Sequence, residues 1–594
     1  MSNPKIIVVG GGLAGLAAVI KIAEMGGEVD LFSIVPVKRS HSVCAQGGIN
    51  AAKNLKGEGD STWQHFDDTV YGGDFLANQP PVKAMCEAAP SIIDLLDRMG
   101  VPFNRTPEGL LDFRRFGGTL HHRTAFAGAT TGQQLLYALD EQVRRYESEG
   151  KVKKYESWEF LSAVLDSQRT CRGICAMDLH SMEVRTFPAD AIIMATGGIG
   201  AIFGKSTNSV VCTGSAQSAL YQQGCYYANG EFIQVHPTSI PGEDKLRLMS
   251  ESARGEGGRV WVPRTLGDKR DPNSIPEKDR WYFLEEWYPK YGNLVPRDVA
   301  TRAIFKVVYE HNLGIDGKPM VYLDLTHIDR ATLDRKLEGI LEIYEKFVGD
   351  DPRTTPMKIF PGMHYTMGGL WVDFNQSTNI QGIFAAGECE YQYHGANRLG
   401  ANSLVSCIFG GFTAGPNAMR YARNQKAAAS NGHFETERKR QEEINAGLMQ
   451  PNGKGNENPF RLWRELGELM TKDCTVIRYN KNLQQTDAKL VELIERFQNV
   501  NLTDRSMWAN TSFVFTRQLY NMLQLSRVIA QGARMRDESR GAHYKPDFPE
   551  RDDKNWLKTT KATFAPDADE PKFEFEPVDV SLITPRPRRY DAVK

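Results

Sequence analysis

The sequence predicts an α/β fold in which a parallel sheet covered by helices is interrupted by an inserted α+β domain, and in which a helical domain and an irregular C-terminal domain follow. Short apolar runs alternate with helical patterns up to about residue 231, and strands followed by glycines return at 370–415. Between about 232 and 364 the chain is instead rich in turns and aromatic residues. From about 430 onward it becomes helical and charged.

Length and composition set the number of domains and exclude several classes. The chain has 594 residues, too many for a single hydrophobic core. We expect a discontinuous first domain at 1–231 and 365–432, an inserted capping domain at 232–364, a helical domain at 433–541 and a C-terminal segment at 542–594. The formal net charge of -1 argues against a nucleic-acid-binding surface. The nine cysteines are scattered without a CxxC motif, so we expect neither a disulfide framework nor an iron–sulfur site.

Membrane-spanning segments are not expected. No apolar run reaches the roughly 18 to 20 residues that a spanning helix needs. The segment at 6–20, IIVVGGGLAGLAAVI, has three adjacent glycines and no cleavage site after it, so we do not interpret it as a signal peptide. Any contact with a membrane is therefore expected to be made through a partner.

Two amphipathic patterns support the helical domain. One helical face in KLVELIERFQNV is formed by Leu490, Leu493, Ile494 and Phe497. A second face is formed by Phe515, Leu519, Met522 and Ile529. The end of the chain is rich in proline, aspartate and aromatic residues, and we expect it to be irregular.

The N-terminal segment carries a dinucleotide-binding pattern. A strand-like run leads into Gly10, Gly12 and Gly15 in the spacing GxGxxG, followed by a helix and a second strand that ends near Ser33. Gly10 permits a tight turn, Gly12 lets a pyrophosphate approach the backbone, and Gly15 lets helix and strand pack closely. The N-terminus of the helix offers free N–H groups and the positive end of its dipole to the phosphates.

Further details favour FAD over NAD as the nucleotide. Glu28 and Asp30 alternate within the second strand, whereas Ser33 occupies the strand end where an NAD-binding acid is expected. Two later strands run into glycines, in AIIMATGG at 191–198 and in GIFAAGE, which contains Glu388. FAD proteins of this architecture use a strand followed by Ala-Gly-Glu near the ribityl chain. We therefore predict a Rossmann-like FAD-binding domain.

Separated motifs along nearly the whole chain carry a family resemblance. In chain order they are RSHSVCAQGGIN, FIQVHPTSI, SESARGEGG, LVPRDVATR, HYTMGGL, FAAGE, HGANRLGANSL and SRGAH…FPERDDKNW. The chain resembles the flavoprotein subunit of succinate dehydrogenase and fumarate reductase, particularly the menaquinone-linked respiratory type.

The resemblance implies a four-carbon dicarboxylate substrate, with its two carboxylates held by His236, Ser250, His364 and Arg398. The planar guanidinium of arginine suits bidentate binding of a carboxylate. Taken alone, each histidine would more often be a packed turn residue, and neither has a second His or Cys at ligand spacing, so no metal site is expected. Many relatives carry Thr at the position of Ser250, and both residues supply a hydroxyl.

The resemblance also assigns the acid–base chemistry. Succinate oxidation removes a hydride from one carbon and a proton from its neighbour. Arg297 is expected to handle the proton, with Glu251 and Arg254 relaying it to solvent; the last two are three residues apart and would share a helical face. Arginine is an unusual base because it stays protonated, and the residues alone would favour a histidine. The alternative for Arg297 is an ion pair with Asp298.

His41 is expected, by the same resemblance, to be bonded covalently to a methyl group of the flavin ring. Gln46, Gly47 and Gly48 would line the ring. Other contacts to FAD are expected from Arg39, Ser40, Thr196, Ser215, Glu388, Ser403 and Leu404. Many relatives carry Asp at the position of Ser215, which leaves one hydrogen bond to FAD in question. Taken alone, His41 would be a surface turn histidine.

Partners and location follow from the electron path that the resemblance implies. Electrons of this family end in a membrane quinone, yet the chain has no iron–sulfur ligands of its own. We expect an iron–sulfur subunit as direct partner, a membrane-anchor cytochrome b subunit beyond it, and only indirect contact with quinone. The expected location is peripheral, on the cytoplasmic face of a bacterial cell membrane. The physiological direction and the quinone stay open.

Three alternatives remain. An L-aspartate oxidase-like enzyme would lack the histidine of the RSH motif, and a soluble fumarate reductase of the haem-containing kind would carry CxxCH, which is absent here. A non-catalytic flavin-binding relay subunit would need no set of carboxylate-binding residues.

Overall fold

The computed structural model describes residues 3–242, 245–425, 431–450, 455–566 and 570–590. Its strands are β1 (Lys5–Val9), β2 (Glu28–Ser33), β3 (Ile49–Asn50), β4 (Phe113–Arg114), β5 (Thr124–Ala125), β6 (Val152–Glu156), β7 (Trp158–Leu165), β8 (Cys171–Asp178), β9 (Val184–Pro188), β10 (Ala191–Met194), β11 (Tyr227–Ala228), β12 (Ile233–Ile240), β13 (Arg247–Leu248), β14 (Arg259–Pro263), β15 (Arg280–Trp281), β16 (Val321–Asp324), β17 (Met357–Thr366), β18 (Gly369–Leu370), β19 (Ile383–Ala385), β20 (Lys558–Thr563) and β21 (Lys572–Pro577). Its α-helices are α1 (Leu13–Glu24), α2 (Thr62–Gly72), α3 (Gln79–Arg98), α4 (Thr131–Ser148), α5 (Ser215–Gln222), α6 (Ser252–Gly255), α7 (Phe283–Trp287), α8 (Arg297–Phe305), α9 (Arg330–Val348), α10 (Asn402–Arg423), α11 (Asn431–Met449), α12 (Pro459–Asp473), α13 (Asn480–Phe497), α14 (Thr511–Met535) and α15 (Asp553–Trp556).

A parallel sheet in the order β19-β10-β1-β2-β6 forms the centre of the first domain. Both of its faces are covered, and β1 and β10 are accordingly continuous apolar runs rather than alternating ones. Helices α1 and α10 pack closely on one face. Gly411 of α10 permits this approach because it has no side chain; a Cβ there would collide with the carbonyl oxygen of Ala14 in α1. The predicted parallel sheet covered by helices is therefore confirmed.

An antiparallel layer stands over the carboxyl ends of the central strands. Its strands follow the order β13-β12-β17-β16-β14-β15 and come from residues 233–366, with α8 and α9 packed on them. Val260, Leu323 and Ile359 lie in its core. This is the α+β insert expected at 232–364; the domain bounds themselves stay a prediction.

The helical part of the chain packs around the two predicted faces. Leu490, Leu493 and Phe497 are buried and Ile494 is half-buried in the same cluster. Along α14, Leu519, Met522 and Ile529 are buried, and Phe515 is half-buried and packs against them. No helix in the described part of the chain is long and apolar enough to cross a membrane.

The C-terminal segment is less irregular than its composition indicates. Strands β20 and β21 pair with each other, and β20 also pairs with β11 of the first domain. The buried positions of β20 include Thr559, Thr560 and Ala562, and β21 is largely exposed. Because these strands bury few large apolar side chains, hydrophobic periodicity could not reveal them.

Candidate active site

A cavity of about 460 Å³ lies between the carboxyl ends of the central strands and the inserted domain. Ligands bind at this edge in open parallel sheets, and the volume is in the range of ligand pockets. Most predicted site residues line it: Gly10, Gly12, Ser33, Ser40, His41, Gln46, Gly47, Gly48, Thr196, Ser215, His236, Ser250, Glu251, Arg297, His364, Glu388, Arg398, Ser403 and Leu404. Gly15, Arg39 and Arg254 do not line it.

The glycine-rich turn has the backbone geometry that the spacing predicts. Gly10 adopts a φ of +118°, and a Cβ there would collide with the carbonyl oxygen of Ala195 on the neighbouring strand. A Cβ at Gly15 would collide with the carbonyl oxygen of Gly10, so Gly15 serves the contact between helix and turn. Helix α1 begins behind Gly12, which has no side chain to cap it, and the N–H of Leu13 donates to Ser42 Oγ at 3.2 Å. Gly12, Leu13 and Ala14 line the cavity, so the N-terminus of the helix lies at its wall.

Several polar atoms on the cavity wall are buried without a hydrogen-bond partner among the described residues. They are Ser40 Oγ, Gln46 Oε1 and Thr196 Oγ1. Buried polar groups are normally satisfied, so orphaned atoms along a cavity indicate a polar ligand. Their chemistry fits a dinucleotide such as FAD, whose phosphates, ribityl hydroxyls and ring offer partners of both kinds.

Two predicted cofactor residues behave differently from the rest. The side chain of Arg39 is exposed and lies outside the cavity, because the short turn Val37–Arg39 directs it to solvent. The predicted contact of Arg39 with FAD was implied by the resemblance, and the position of this side chain does not support it. Ser215 lines the cavity but its hydroxyl accepts a hydrogen bond of 2.8 Å from Asn521 Nδ2 of α14.

Glu388 lies on the opposite wall of the cavity. One carboxylate oxygen accepts a hydrogen bond of 3.1 Å from the backbone N–H of Thr366. Burial raises the pKa of Glu388 to about 7, so the side chain is near the balance between its neutral and charged forms at neutral pH.

His41 projects from the turn His41–Cys44 with a nitrogen donor beside each of its ring nitrogens. The backbone N–H of Ser209 donates to Nδ1 at 3.2 Å, and Asn208 Nδ2 lies 3.3 Å from Nε2. Burial and the nearby charge of Lys245 lower the pKa of His41 to about 4. The imidazole is therefore neutral and can accept from only one of these two donors. The shorter contact, from the backbone N–H of Ser209, assigns the lone pair to Nδ1 and the proton to Nε2, which then makes no hydrogen bond to the amide nitrogen of Asn208.

His236 is held in one tautomer with its donor aimed into the cavity. The backbone N–H of Thr238 donates to His236 Nδ1 at 3.2 Å, which places the ring proton on Nε2. Nε2 is fully buried and has no partner among the described residues. Burial and the charge of Arg297 lower the pKa of His236 well below its ordinary value, so it is a neutral donor.

His364 and Arg398 complete the polar end of the cavity. The rings of His236 and His364 are 5.0 Å apart, and His364 Nδ1 lies 2.7 Å from Thr207 Oγ1. The guanidinium of Arg398 stacks 4.3 Å from the ring centre of Tyr365, and its buried Nε has no partner in the described part of the chain. Burial and repulsion by Arg297 lower the pKa of Arg398 to about 9. A bound anion would give the Nε–H of Arg398 a partner and would offset the repulsion between Arg398 and Arg297.

Arg297, Glu251 and Arg254 form a continuous buried chain. Arg297 donates to Glu251 Oε2 through Nε and Nη2, each at 2.8 Å, and Arg254 donates to Glu251 Oε1 at 2.9 Å. Burial alone would raise the pKa of Glu251, but the two arginines outweigh it and the pKa lies below its ordinary value. Glu251 is therefore a carboxylate between two cations.

The predicted alternative for Arg297 is wrong. Asp298 pairs with Arg588, at 2.5 and 2.9 Å, and with Arg302 at 3.2 Å. Helix α8 turns Arg297 and Asp298 to different sides, so Arg297 is left to face the cavity.

Comparison with known proteins decides the family. The family models described as FAD binding domain and Fumarate reductase flavoprotein C-term match residues 5–404 and 463–590. The succinate dehydrogenase flavoprotein subunit of Bacillus subtilis (strain 168) is 66% identical over 597 residues and covers 100% of both chains.

Solved structures agree. A mutant of E. coli quinol fumarate reductase FrdA is similar with a TM-score of 0.91 at 32% identity, covering 100% of both chains. A quinol-fumarate reductase solved with menaquinol molecules is similar with a TM-score of 0.89 at 33% identity, covering 99% of this chain and 100% of its own. The chain belongs to the family of succinate dehydrogenase and fumarate reductase flavoprotein subunits. The resemblance in the sequence is thereby confirmed, as is the FAD-binding α/β fold with capping and C-terminal domains; the chain is an FAD-dependent oxidoreductase.

Sequence reasoning missed several residues of this flavoprotein site. Gln234 Oε1 accepts from Arg297 Nη1 at 3.0 Å, and Gln234 lies two residues before His236 on one strand, so the period of two could have placed both on one face. Phe116 and Lys245 also line the cavity, and no local pattern marks them. Asn208 donates to the carbonyl oxygen of His364 at 2.8 Å and connects the two ends of the site.

Proposed function

We propose that this chain is the catalytic subunit of a respiratory succinate:quinone oxidoreductase and interconverts succinate and fumarate. One observation carries the proposal. At one end of a nucleotide-sized cavity, His236 and Arg398 carry buried donors without a partner among the described residues, and they lie beside the ion-paired chain of Arg297, Glu251 and Arg254. Binding of a dicarboxylate needs the unpaired donors, and proton transfer needs the ion-paired chain.

Substrate binding falls to the unpaired donors. Arg398 suits one carboxylate bidentately, since its fork of N–H groups matches the spacing of carboxylate oxygens. His236 and His364 are neutral, so they donate hydrogen bonds without adding charge, and Ser250 adds a hydroxyl. Holding both ends of the substrate fixes its central carbons, and such orientation can lower a barrier by several kcal/mol (about 7 to 11 at most).

Proton transfer falls to the paired chain. Arg297 would donate a proton to one central carbon of fumarate and be recharged through Glu251 and Arg254; succinate oxidation would run the same path backward. Glu251 holds Arg297 at 2.8 Å, which fixes the direction in which the guanidinium offers its remaining N–H groups. Bound FAD would supply the hydride chemistry.

The cofactor is proposed to be attached to His41. Nδ1 is occupied by the Ser209 N–H, so Nε2 is the nitrogen left to carry the bond. Attachment would break the Nε2–H bond and one C–H bond of the flavin methyl group, and the flavin ring itself would take up the two electrons released. The low pKa of His41 keeps the ring neutral and nucleophilic at physiological pH. Gly10, Gly12 and α1 would hold the pyrophosphate, while Ser40, Gln46, Thr196 and Glu388 would contact the rest of FAD, as would Gly47, Gly48, Ser33, Ser215, Ser403 and Leu404.

The proposed partners extend the electron path. We propose an iron–sulfur subunit bound to this chain, a cytochrome b anchor beyond it, and a peripheral position on the cytoplasmic face of a bacterial membrane. The likeness to a quinol-fumarate reductase solved with menaquinol supports a quinone at the end of that path.

Dye-linked assays test the function. Purified protein with bound FAD should reduce an artificial dye when succinate is added, and reduced dye should be consumed with fumarate. L-Aspartate in place of succinate tests for an oxidase of that amino acid and should give no reduction. Flavin-containing protein that reduces no dye with succinate and consumes none with fumarate would instead be a relay subunit.

A further inference from the structure

A buried, uncharged network joins the two segments that line opposite sides of the cavity. Asn50 follows the segment 46–48 on the cavity wall, and Asn402 follows Arg398 and begins α10. Asn50 Nδ2 donates to the carbonyl oxygen of Gly400 at 2.8 Å and to Asn402 Oδ1 at 2.7 Å. The backbone N–H of Asn50 donates to the carbonyl oxygen of Ala401 at 3.1 Å. Asn50 and Asn402 are both 0% exposed.

Every hydrogen of the Asn50 amide is used. Its two Nδ2 hydrogens go to Gly400 and Asn402, and its Oδ1 accepts from Thr124 Oγ1 at 2.6 Å. Asn402 is fixed in turn by His65 Nε2 at 2.9 Å and by Thr69 Oγ1 at 2.9 Å. The carbonyl oxygen of Gly400 can only accept, so it fixes the orientation of the Asn50 amide.

The held segment is strained and lies against the catalytic chain. Ala401 adopts φ +63°, a left-handed conformation that is uncommon for a residue with a Cβ. A Cβ at Gly400 would lie 3.1 Å from Glu251 Oε2, the oxygen that accepts from Arg297. A shift of this segment would therefore move Arg398 on one side and press on Glu251 on the other.

We propose that Asn50 is a positioning residue of the active site, which holds Gly400–Asn402 so that Arg398 and the N-terminus of α10 face the bound molecules. Asn50 does not line the cavity and touches neither substrate nor reacting atoms. It acts through the three hydrogen bonds to residues 400–402. The inference takes the identity of the substrate from the proposed function. The position of Gly400–Asn402 does not depend on that function.

The first test is Asn50→Ser in the full-length protein with bound FAD. Serine retains the backbone N–H and loses both amide donors. We expect kcat/KM for fumarate to fall by roughly 10²-fold, in line with the effect of a displaced catalytic geometry. The dissociation constant of malonate, a dicarboxylate that is not turned over, should rise with it when it is followed by the flavin absorbance.

The matched control is Asn510→Ala, at a buried asparagine far from the cavity. Asn510 accepts from the N–H of Phe513 at 2.9 Å and donates to the carbonyl oxygens of Asp504 and Ser506, each at 3.1 Å. Asn510→Ala should lower the Tm, as Asn50→Ser should, because each variant removes satisfied buried hydrogen bonds. Its kcat/KM and malonate affinity should stay at the wild-type values.

A second pair of variants avoids dependence on the folding of Asn50→Ser. Thr124→Val removes the hydroxyl that orients the Asn50 amide and keeps the shape of the side chain, whereas Thr124→Ser keeps the hydroxyl. Malonate affinity should fall in the valine variant and be restored in the serine variant.

The outcomes separate the two proposals. If malonate affinity and kcat/KM change by less than about twofold in Asn50→Ser and Thr124→Val, Asn50 has only a structural role and the inference is overturned. If the wild type binds malonate but does not interconvert succinate and fumarate, the proposed function fails, while the malonate measurements still decide the role of Asn50.

Discussion

The two arginines that face the cavity differ in the partners that the protein supplies for their guanidinium groups. Arg297 has a carboxylate partner and an amide partner, Glu251 and Gln234, within 3.0 Å. Arg398 has the face of Tyr365 and a buried N–H without a partner among the described residues. A cation that is already neutralised has little to gain from an anionic substrate, whereas an unpaired one gains a great deal.

The same contrast separates the histidines from Glu251. His236 and His364 are kept neutral by burial beside arginines, so they can only donate to a carboxylate. Glu251 is kept charged by the same arginines. The same arginines therefore have two effects: they keep the substrate-binding histidines neutral, and they keep Glu251 of the proton path charged.

The largest effect is expected at the paired arginine. Arg297→Gln should reduce turnover in both directions by roughly 10⁴-fold, the upper range for loss of a positioned proton donor. The check is steady-state turnover of succinate and of fumarate at equal flavin content. Retention of more than a few per cent of activity would show that another group handles the proton.

A smaller effect, of a different kind, is expected at the unpaired arginine. Arg398→Gln should weaken dicarboxylate binding by about 2 kcal/mol or more, since it removes a desolvated charge-assisted contact. KM should rise because the contact already exists in the bound substrate, and kcat should fall because the substrate is no longer held in the reactive orientation. An unchanged KM would contradict a role in holding the carboxylate.

The flavin end of the cavity should respond asymmetrically. His41→Ser should leave a folded protein that binds FAD but releases it on acid precipitation, whereas wild-type flavin should stay with the pellet. A covalent link of this kind is expected to raise the flavin potential, and each fall of about 30 mV disfavours a two-electron oxidation by roughly 1.4 kcal/mol. Succinate oxidation should therefore be lost while fumarate reduction survives; equal loss in both directions would make His41 a positioning residue.

The smallest effect concerns Glu390, a buried carboxyl that forms no ion pair within the described part of the chain. Burial raises the pKa of Glu390 to about 8 from an ordinary 4.5. The folded protein holds this proton more tightly than the unfolded chain, so the stability contributed by Glu390 is fully present below about pH 4.5 and is lost as the pH rises through about 8. Glu390→Gln should raise the Tm at about pH 8 and leave it unchanged at about pH 4.5. Equal shifts at both values would show that the charge of Glu390 is not the cause.

Local motifs predicted the residues of the site better than the hydrogen bonds that join distant segments around it. The glycine turn and the parallel sheet could be found because each has a local steric or periodic reason, and His236, Arg297 and Arg398 could be found because each sits in a motif that carries the family resemblance. The link from Asn50 to Asn402 could not, because it joins residues 352 positions apart and only the fold brings them together.

The division between binding and proton transfer is tested most directly by one measurement, the dissociation constant of malonate in Arg297→Gln and in Arg398→Gln. In Arg297→Gln, Glu251 keeps its ion pair with Arg254 at 2.9 Å, so the binding donors should stay in place. We expect malonate affinity within about threefold of the wild type in Arg297→Gln, and weakened by a factor of about 30 or more in Arg398→Gln. Equal weakening in both variants, or weakening only in Arg297→Gln, would contradict the account.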